Sequence, residues 1–234
     1  MNLGLIGYGY WGPNFARLID ENRKLHLKYC ADLNGRALER VRKKYPRVTV
    51  TQNYSDILRD PEVDAVLIVT PTSTHFSIAK DCLLANKHVF VEKPLTHKIE
   101  DANELIRLAS EKKSVLMVGH IFLFNPSVQF IKKTIDSGEV GGLRHLHFQR
   151  RNLGPIRQDV NVLWDLGPHD VSLALYLIND EPVSILASGE CYVQKGVHDV
   201  VTASIKFRNK TLVNMVLSWI DPVKIRDITI VGEK

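Results

Sequence analysis

The chain has only three cysteines in 234 residues (Cys30, Cys82 and Cys191), and no Cys-x-x-Cys spacing. An odd, scattered set argues against a disulfide framework and against a zinc site, so no metal is expected and a reduced, cytoplasmic setting is. No apolar run approaches the ~20 residues that a membrane-spanning helix needs, so no membrane partner is expected. Met1 leads straight into the apolar stretch Asn2-Leu-Gly-Leu-Ile6, and no secretory leader is expected. Internal repeats, low-complexity tracts and Pro/Gly linkers are missing too. Charge of a single sign is also lacking: 31 Lys+Arg stand against 26 Asp+Glu, a net +5. Lys24, Lys28, Arg36, Arg40, Arg42 and Lys43 are interleaved with Asp32 and Glu39, with no basic tail. Nucleic acid is therefore not expected; the small surplus suits anionic small ligands.

What is present is alternation. Short β-branched runs near 2–6, 25–31, 63–69, 88–92 and 115–119, with a weaker one near 48–51, are separated by helical spacing such as Phe15-Leu18-Ile19. Val63-Asp-Ala-Val-Leu-Ile-Val69 is almost continuously apolar, as a strand covered on both faces must be. This predicts a doubly wound parallel sheet, a Rossmann domain, over 1–119. After Gly119 the pattern changes. A helix near 126–137, a strand near 142–151 and a helix near 168–179 precede strands near 183–193, 199–207, 211–219 and 224–231. In the 199–207 run, Val201, Ala203, Ile205 and Phe207 alternate with polar residues, the mark of an antiparallel sheet with one open face. Residues 120–234 are thus expected to form an α+β domain.

The first strand runs into Gly7-Tyr-Gly9-Tyr10-Trp11-Gly12, followed by Pro13 and a predicted helix. In that context Gly-x-Gly-x-x-Gly has a mechanism: Gly7 makes the tight turn, Gly9 admits a pyrophosphate to the backbone, and Gly12 lets helix and strand pack closely. Freed amides and the helix dipole attract the anion. Tyr10 and Trp11 complete this cofactor loop. Asp32, 20 residues beyond Gly12 at the end of the second strand, suits the ribose hydroxyls and repels a 2′-phosphate. The alternative is a cap on the helix beginning near Gly35. NAD is the expected cofactor, with NADP possible because Arg36 is close by.

Thr70-Pro71-Thr72 ends the fourth strand, and the fifth ends at Glu92-Lys93-Pro94. Proline keeps Lys93 extended, at the carboxyl end of a parallel strand where open α/β sheets bind ligands. An ammonium there can orient a hydroxyl and share its proton; a solvated surface lysine is the plain alternative. Further on, Gly167-Pro168 reads as the cap and first residue of a helix, which puts His169 in its first turn. There the helix N-terminus disfavours imidazolium and Asp165 favours it.

Gly4-Leu-Ile-Gly-Tyr-Gly-Tyr-Trp-Gly-Pro13, Thr70-Pro-Thr-Ser-Thr-His75, Glu92-Lys-Pro-Leu95 and Trp164-Asp-Leu-Gly-Pro-His-Asp170 occur in this order. With these motifs the chain resembles the Gfo/Idh/MocA oxidoreductases, the glucose–fructose oxidoreductase and inositol dehydrogenase-like family, over essentially its whole length. The resemblance implies a Rossmann domain followed by an α/β domain with a large, mostly antiparallel sheet. It implies hydride exchange between NAD(P) and a carbon of a sugar, cyclitol or nucleotide sugar. It also implies that Lys93 touches the reacting hydroxyl, often beside a cis bond before Pro94. The Asp165-x-x-x-His169 pair matches inositol dehydrogenase-like members, with His169 as acid/base and Asp165 orienting it. Thr70, Pro71, Thr72, His75 and Glu92 then join the cofactor set.

His120 and Asn125, where the two predicted domains join, are candidate substrate contacts, or loop and cap residues. The stretch Arg150–Asn161 holds Gly154-Pro155, Arg157 and Asn161, groups suited to anions or polyols. It is similar to relatives acting on nucleotide-linked sugars, which makes Arg157 and Asn161 candidate substrate contacts. The family pattern continues past the strand matching Arg226–Val231, so the second domain is expected to be truncated relative to it. A homo-oligomer through the open sheet face is expected. A non-catalytic dinucleotide-binding or scaffold protein on the same fold is the alternative function.

Overall fold

The computed structural model describes residues 1–158 and 160–234, which fall into two compact units, Met1–Gly119 and His120–Lys234. The first is built on β1 (Asn2–Ile6), β2 (His26–Ala31), β3 (Thr49–Thr51), β4 (Ala65–Ile68), β5 (His88–Val91) and β6 (Leu116–Val118). All pairings are parallel and the order is β3-β2-β1-β4-β5-β6. The crossovers are α1 (Gly12–Asp20), α2 (Gly35–Lys44), α3 (Ser55–Arg59), α4 (His75–Leu84) and α5 (Ile99–Glu111).

Alternation along each strand splits the core in two. Leu3, Leu5 and Leu67 join Ala16, Ile19, Ala37 and Val41 of α1 and α2. Ile6, Val66, Ile68, Val89 and Val91 join Ile57, Ile78, Ala79, Cys82 and Leu105 on the opposite face. A sheet buried on both sides has no polar face, which is why β4 reads as an unbroken apolar run. The strand order reverses at β1 and β4, so their carboxyl ends open the crevice in which such sheets bind ligands.

The second unit comprises α6 (Pro126–Asp136), β7 (Leu143–Leu153), α7 (Val162–Ile178), β8 (Pro182–Glu190), β9 (Val200–Phe207), β10 (Leu212–Ser218) and β11 (Ile220–Gly232). The sheet order is β11-β7-β10-β9-β8, antiparallel except for the parallel pair β7–β10. Val201, Ala203, Ile205 and Phe207 are all buried, and the last three pack with Leu173, Ala174 and Leu177 of α7. One face is covered by helices; the other carries His145, His147 and Asn214.

The structure corrects the start of α7. The helix begins at Val162, not near 168, with Asn161 extended at its N-cap and accepting the Trp164 N–H at 3.0 Å. Pro168 lies in the interior. An asparagine cap satisfies an otherwise orphaned amide, a gain of about 1 kcal/mol. Gly167 is tolerated because the helix is pressed close here: an added Cβ would lie 2.9 Å from Leu163 and 3.4 Å from Leu217. His169 therefore sits two turns into α7, beyond the reach of the N-terminal dipole. Asp165, in the first turn, feels it instead.

Candidate active site

At the end of β1 the chain turns sharply at Gly7, whose φ is +99°; a Cβ there would lie 2.4 Å from the Val69 carbonyl oxygen. Gly12 opens α1 with its own Cβ position 2.4 Å from the Gly7 carbonyl oxygen, so a side chain would push helix and loop apart. Gly9 differs: among the described residues nothing lies within 4 Å of its Cβ position. Its backbone borders open space at the mouth of the crevice, the cradle that a pyrophosphate requires. Tyr10 and Trp11 are exposed beside it, their rings edge-to-face at 6.1 Å.

Asp32 faces this loop from the end of β2. Its Oδ2 accepts the Tyr8 N–H at 2.6 Å and its Oδ1 accepts the Asn34 N–H at 2.7 Å. The cap on α2 is Asn34, which accepts the Arg36 N–H. Each carboxylate oxygen keeps further lone-pair capacity for ribose hydroxyls. Glycine bend, open cradle and acid together fit a dinucleotide.

Thr70 leaves β4, and its hydroxyl accepts from Thr74 at 2.7 Å; Pro71 is exposed, while Thr72 is buried in a single 3-10 turn. His75 is buried too, with Nδ1 2.9 Å from the Pro94 carbonyl and Nε2 2.9 Å from the Thr70 carbonyl. It thus ties the end of β4 to the turn after β5 instead of presenting a nitrogen to the crevice. Burial holds its pKa below the ordinary histidine value, although both carbonyls pull the other way. The Lys93–Pro94 bond is cis and Lys93 is half-buried. Glu92 accepts the Lys93 N–H at 3.2 Å, and burial raises its carboxyl above the usual range.

In the second unit Asp165 and His169 stand one turn apart on α7. Asp165 accepts from the buried indole N–H of Trp219 at 3.3 Å and pairs with Arg157 at 3.5 Å. Asn125 and Asn161 both serve as helix caps, accepting the Ser127 and Trp164 N–H groups at 2.9 and 3.0 Å. Asp159, inside the Arg150–Asn161 stretch, lies outside the described residues. His120, half-buried, opens this unit.

Trp219 stands outside every sequence motif, and Arg150 and Asp170, which only bound a stretch and a motif in the sequence, pair with each other. Arg150 donates from Nε and Nη2 to Oδ1 of Asp170 at 3.0 and 2.6 Å, and both side chains are buried. Asp170 carried a signal, standing next to His169. Arg150 carried none, because its partner is 20 residues away in sequence. Among the described residues no group of three His, Cys, Asp or Glu side chains could hold a metal ion, and no helix is long and apolar enough to cross a membrane.

Residues 1–120 match the family model described as the GFO_IDH_MocA oxidoreductase family, NAD-binding Rossmann fold, and residues 128–234 match the GFO/IDH/MocA C-terminal domain. UDP-N-acetylglucosamine 3-dehydrogenase of Acidithiobacillus ferrooxidans is 35% identical over 231 residues, covering 93% of this chain and 67% of its own length. Inositol 2-dehydrogenase of Rhizobium meliloti is 28% identical over 204 residues, covering 85% of this chain and 61% of its own. The crystal structure of a putative myo-inositol dehydrogenase from Sinorhizobium meliloti 1021 superposes with a TM-score of 0.90 at 26% identity, over 100% of this chain and 74% of that one. The chain thus spans between 61% and 67% of the length of these two curated relatives. It belongs to the Gfo/Idh/MocA oxidoreductase family, with an NAD-binding Rossmann unit at its N-terminus.

Proposed function

We propose that this chain provides the cofactor unit and substrate-binding residues of an NAD-dependent dehydrogenase acting on a CH–OH carbon of a nucleotide-linked sugar or related polyol. The observation that carries the reading is the Asp32 carboxylate bonded to the Tyr8 N–H beside the open cradle at Gly9. Bound NAD supplies the hydride acceptor. Gly7, Gly9 and Gly12 would hold its pyrophosphate and Asp32 its ribose hydroxyls, with NAD favoured over NADP by charge repulsion. Thr70, Pro71, Thr72 and Glu92 border the same crevice ends of β4 and β5.

Lys93 donates a hydrogen bond to the reacting hydroxyl, and His169 takes its proton, near neutral pH an ordinary task for imidazole. Asp165, fixed by Trp219 and Arg157, orients His169. These roles rest on the family motifs that Lys93, Asp165 and His169 match. The substrate class rests on the relatives' names: a UDP-N-acetylglucosamine dehydrogenase at 35% identity and inositol dehydrogenases at 28%. A cytoplasmic location and a homo-oligomer built through the open sheet face belong to the same proposal. Exposed Leu186 on β8, paired with Ser204 on the open face, supports the oligomer.

The test is a turnover screen that follows the absorbance of reduced nicotinamide with NAD and with NADP. The substrates are UDP-N-acetylglucosamine, myo-inositol, scyllo-inositol and free aldoses. NAD-linked turnover of the nucleotide sugar, lost in Lys93→Met and His169→Gln, is expected. Wild-type rates in either variant would sink the assignment.

A further inference from the structure

Three residues of the second unit, Phe122, Arg150 and Asp170, close a circuit with His169. Phe122, in the 3-10 turn Ile121–Phe124, meets the His169 ring edge-to-face, with centroids 4.7 Å apart and planes at 85°. The guanidinium carbon of Arg150 on β7 lies 4.7 Å from the centroid of the same Phe122 ring. Arg150 is itself fastened by two hydrogen bonds to Asp170. Asp170 follows His169 on α7, so the backbone closes the loop. Ile121 and Phe124, flanking the turn, are exposed; Phe122 instead turns toward the core formed by Leu146, Phe148 and Leu173.

This cluster is a poor device for stability alone. Asp170 is 1% exposed, and its second oxygen, Oδ2, is buried with no hydrogen-bond partner among the described residues. Burial outweighs the guanidinium and holds its carboxyl above the usual range. Buried ion pairs with unsatisfied atoms seldom repay their desolvation. An aromatic ring backed by a fixed cation is, by contrast, a firm wall for a second ring.

We propose that Phe122, backed by the Arg150–Asp170 pair, is a positioning residue that fixes the orientation of the His169 imidazole. Its effect on turnover rests on the acid/base role proposed above for His169; the geometric part does not. An imidazole free to rotate presents its nitrogens in the productive direction for only part of the time. Small misplacements at a reacting group cost one to two powers of ten in rate.

Two measurements test it on Phe122→Leu and Phe122→Tyr of the full chain. The first is the NMR resonance of the His169 Cε1 proton, assigned by its disappearance in His169→Gln. A ring-current-shifted line is expected in the wild type and in Phe122→Tyr, and a move toward the free-histidine position in Phe122→Leu. The second is turnover of UDP-N-acetylglucosamine with NAD. In Phe122→Leu kcat should fall about tenfold with KM values within twofold, and Phe122→Tyr should restore it. An unmoved resonance in Phe122→Leu overturns the proposal, as does a kcat loss that Phe122→Tyr fails to restore. Wild-type turnover in His169→Gln overturns the acid/base reading and the turnover effect that rests on it, while the His169 resonance still decides the geometric part. An inactive His169→Gln beside a Phe122→Leu that matches the wild type in both measurements overturns the positioning alone.

Discussion

Asp32 and Tyr8 are joined by a 2.6 Å hydrogen bond from the Tyr8 backbone N–H to the Asp32 carboxylate, linking the end of β2 to the glycine loop 24 residues earlier. The same carboxylate that is proposed to hold the ribose therefore also holds the loop proposed to cradle the phosphates. Cofactor affinity and loop geometry cannot be separated at this residue.

Asp32→Asn keeps the shape, removes the charge and sets an amide NH2, which cannot accept, against one of the two backbone N–H groups. A charge-assisted bond is stronger than a neutral one by about 1–1.5 kcal/mol, and ribose contacts add to this. NAD should bind at least about tenfold more weakly, with NADP affected less because the repulsion of its 2′-phosphate is relieved. Calorimetry with both cofactors checks this. An unchanged ratio of the two dissociation constants would count against Asp32 as the ribose acid.

Gly9 and Gly7 should respond oppositely to alanine. Space is open around Gly9, so Gly9→Ala should leave Tm within about 1 °C while raising the NAD dissociation constant at least about tenfold. At Gly7 the positive φ and the Val69 carbonyl oxygen 2.4 Å from the added carbon both resist a methyl group. Backbone strain of this kind costs about 1–3 kcal/mol, so Tm should fall by several degrees. Thermal melts and cofactor titration on the two variants decide it. A Gly9→Ala protein that binds NAD normally would place the pyrophosphate elsewhere.

His75 makes a pH prediction with a definite sign. Its folded pKa is lowered by burial, so on acidification the unfolded chain takes up the proton first. Stability from this group is complete above the unfolded value of about 6.5 and is lost as pH falls through and below it. The fall in Tm between about pH 7.5 and 5.5 should be steeper in the wild type than in His75→Gln. Superimposable Tm profiles would mean that His75 is not held neutral. Because its ring links Thr70 to Pro94, His75→Gln should also weaken NAD binding severalfold.

The parallel unit was legible because both of its signals are local. Continuous apolar runs mark strands covered twice, and the glycine loop with its acid lies within the first 32 residues. The alternation in β9 likewise announced one covered face. Legibility failed at α7, where the Gly167-Pro168 pair outweighed a better signal: Asn161 before Val162, Leu163 and Leu166, with Asp165 in the first turn. A proline inside a helix removes one hydrogen bond, which is why Pro168 reads as a helix start and not as an interior residue. The partners of Asp165 and Asp170 were out of reach for another reason. Trp219 is 54 residues from Asp165 and Arg150 is 20 from Asp170, and no periodicity connects them. Pairings across a sheet and a helix exist only once both have formed.

The Arg150–Asp170 pair should reveal its cost in a double-mutant cycle. Arg150→Met strands a buried carboxylate and Asp170→Leu strands a buried guanidinium. Each single change should destabilise by about 3–5 kcal/mol. With both made, no charge is left buried and Oδ2 no longer lacks a partner, so the double variant should recover most of that stability. Denaturant unfolding of the four proteins measures the coupling. If the double variant is as stable as the wild type yet turns substrate over more slowly, the pair is kept for what it does to the Phe122 and His169 rings. If it instead loses the sum of the two single changes, the coupling is zero and the two side chains act independently, and Phe122 would need another explanation for the cation beside it.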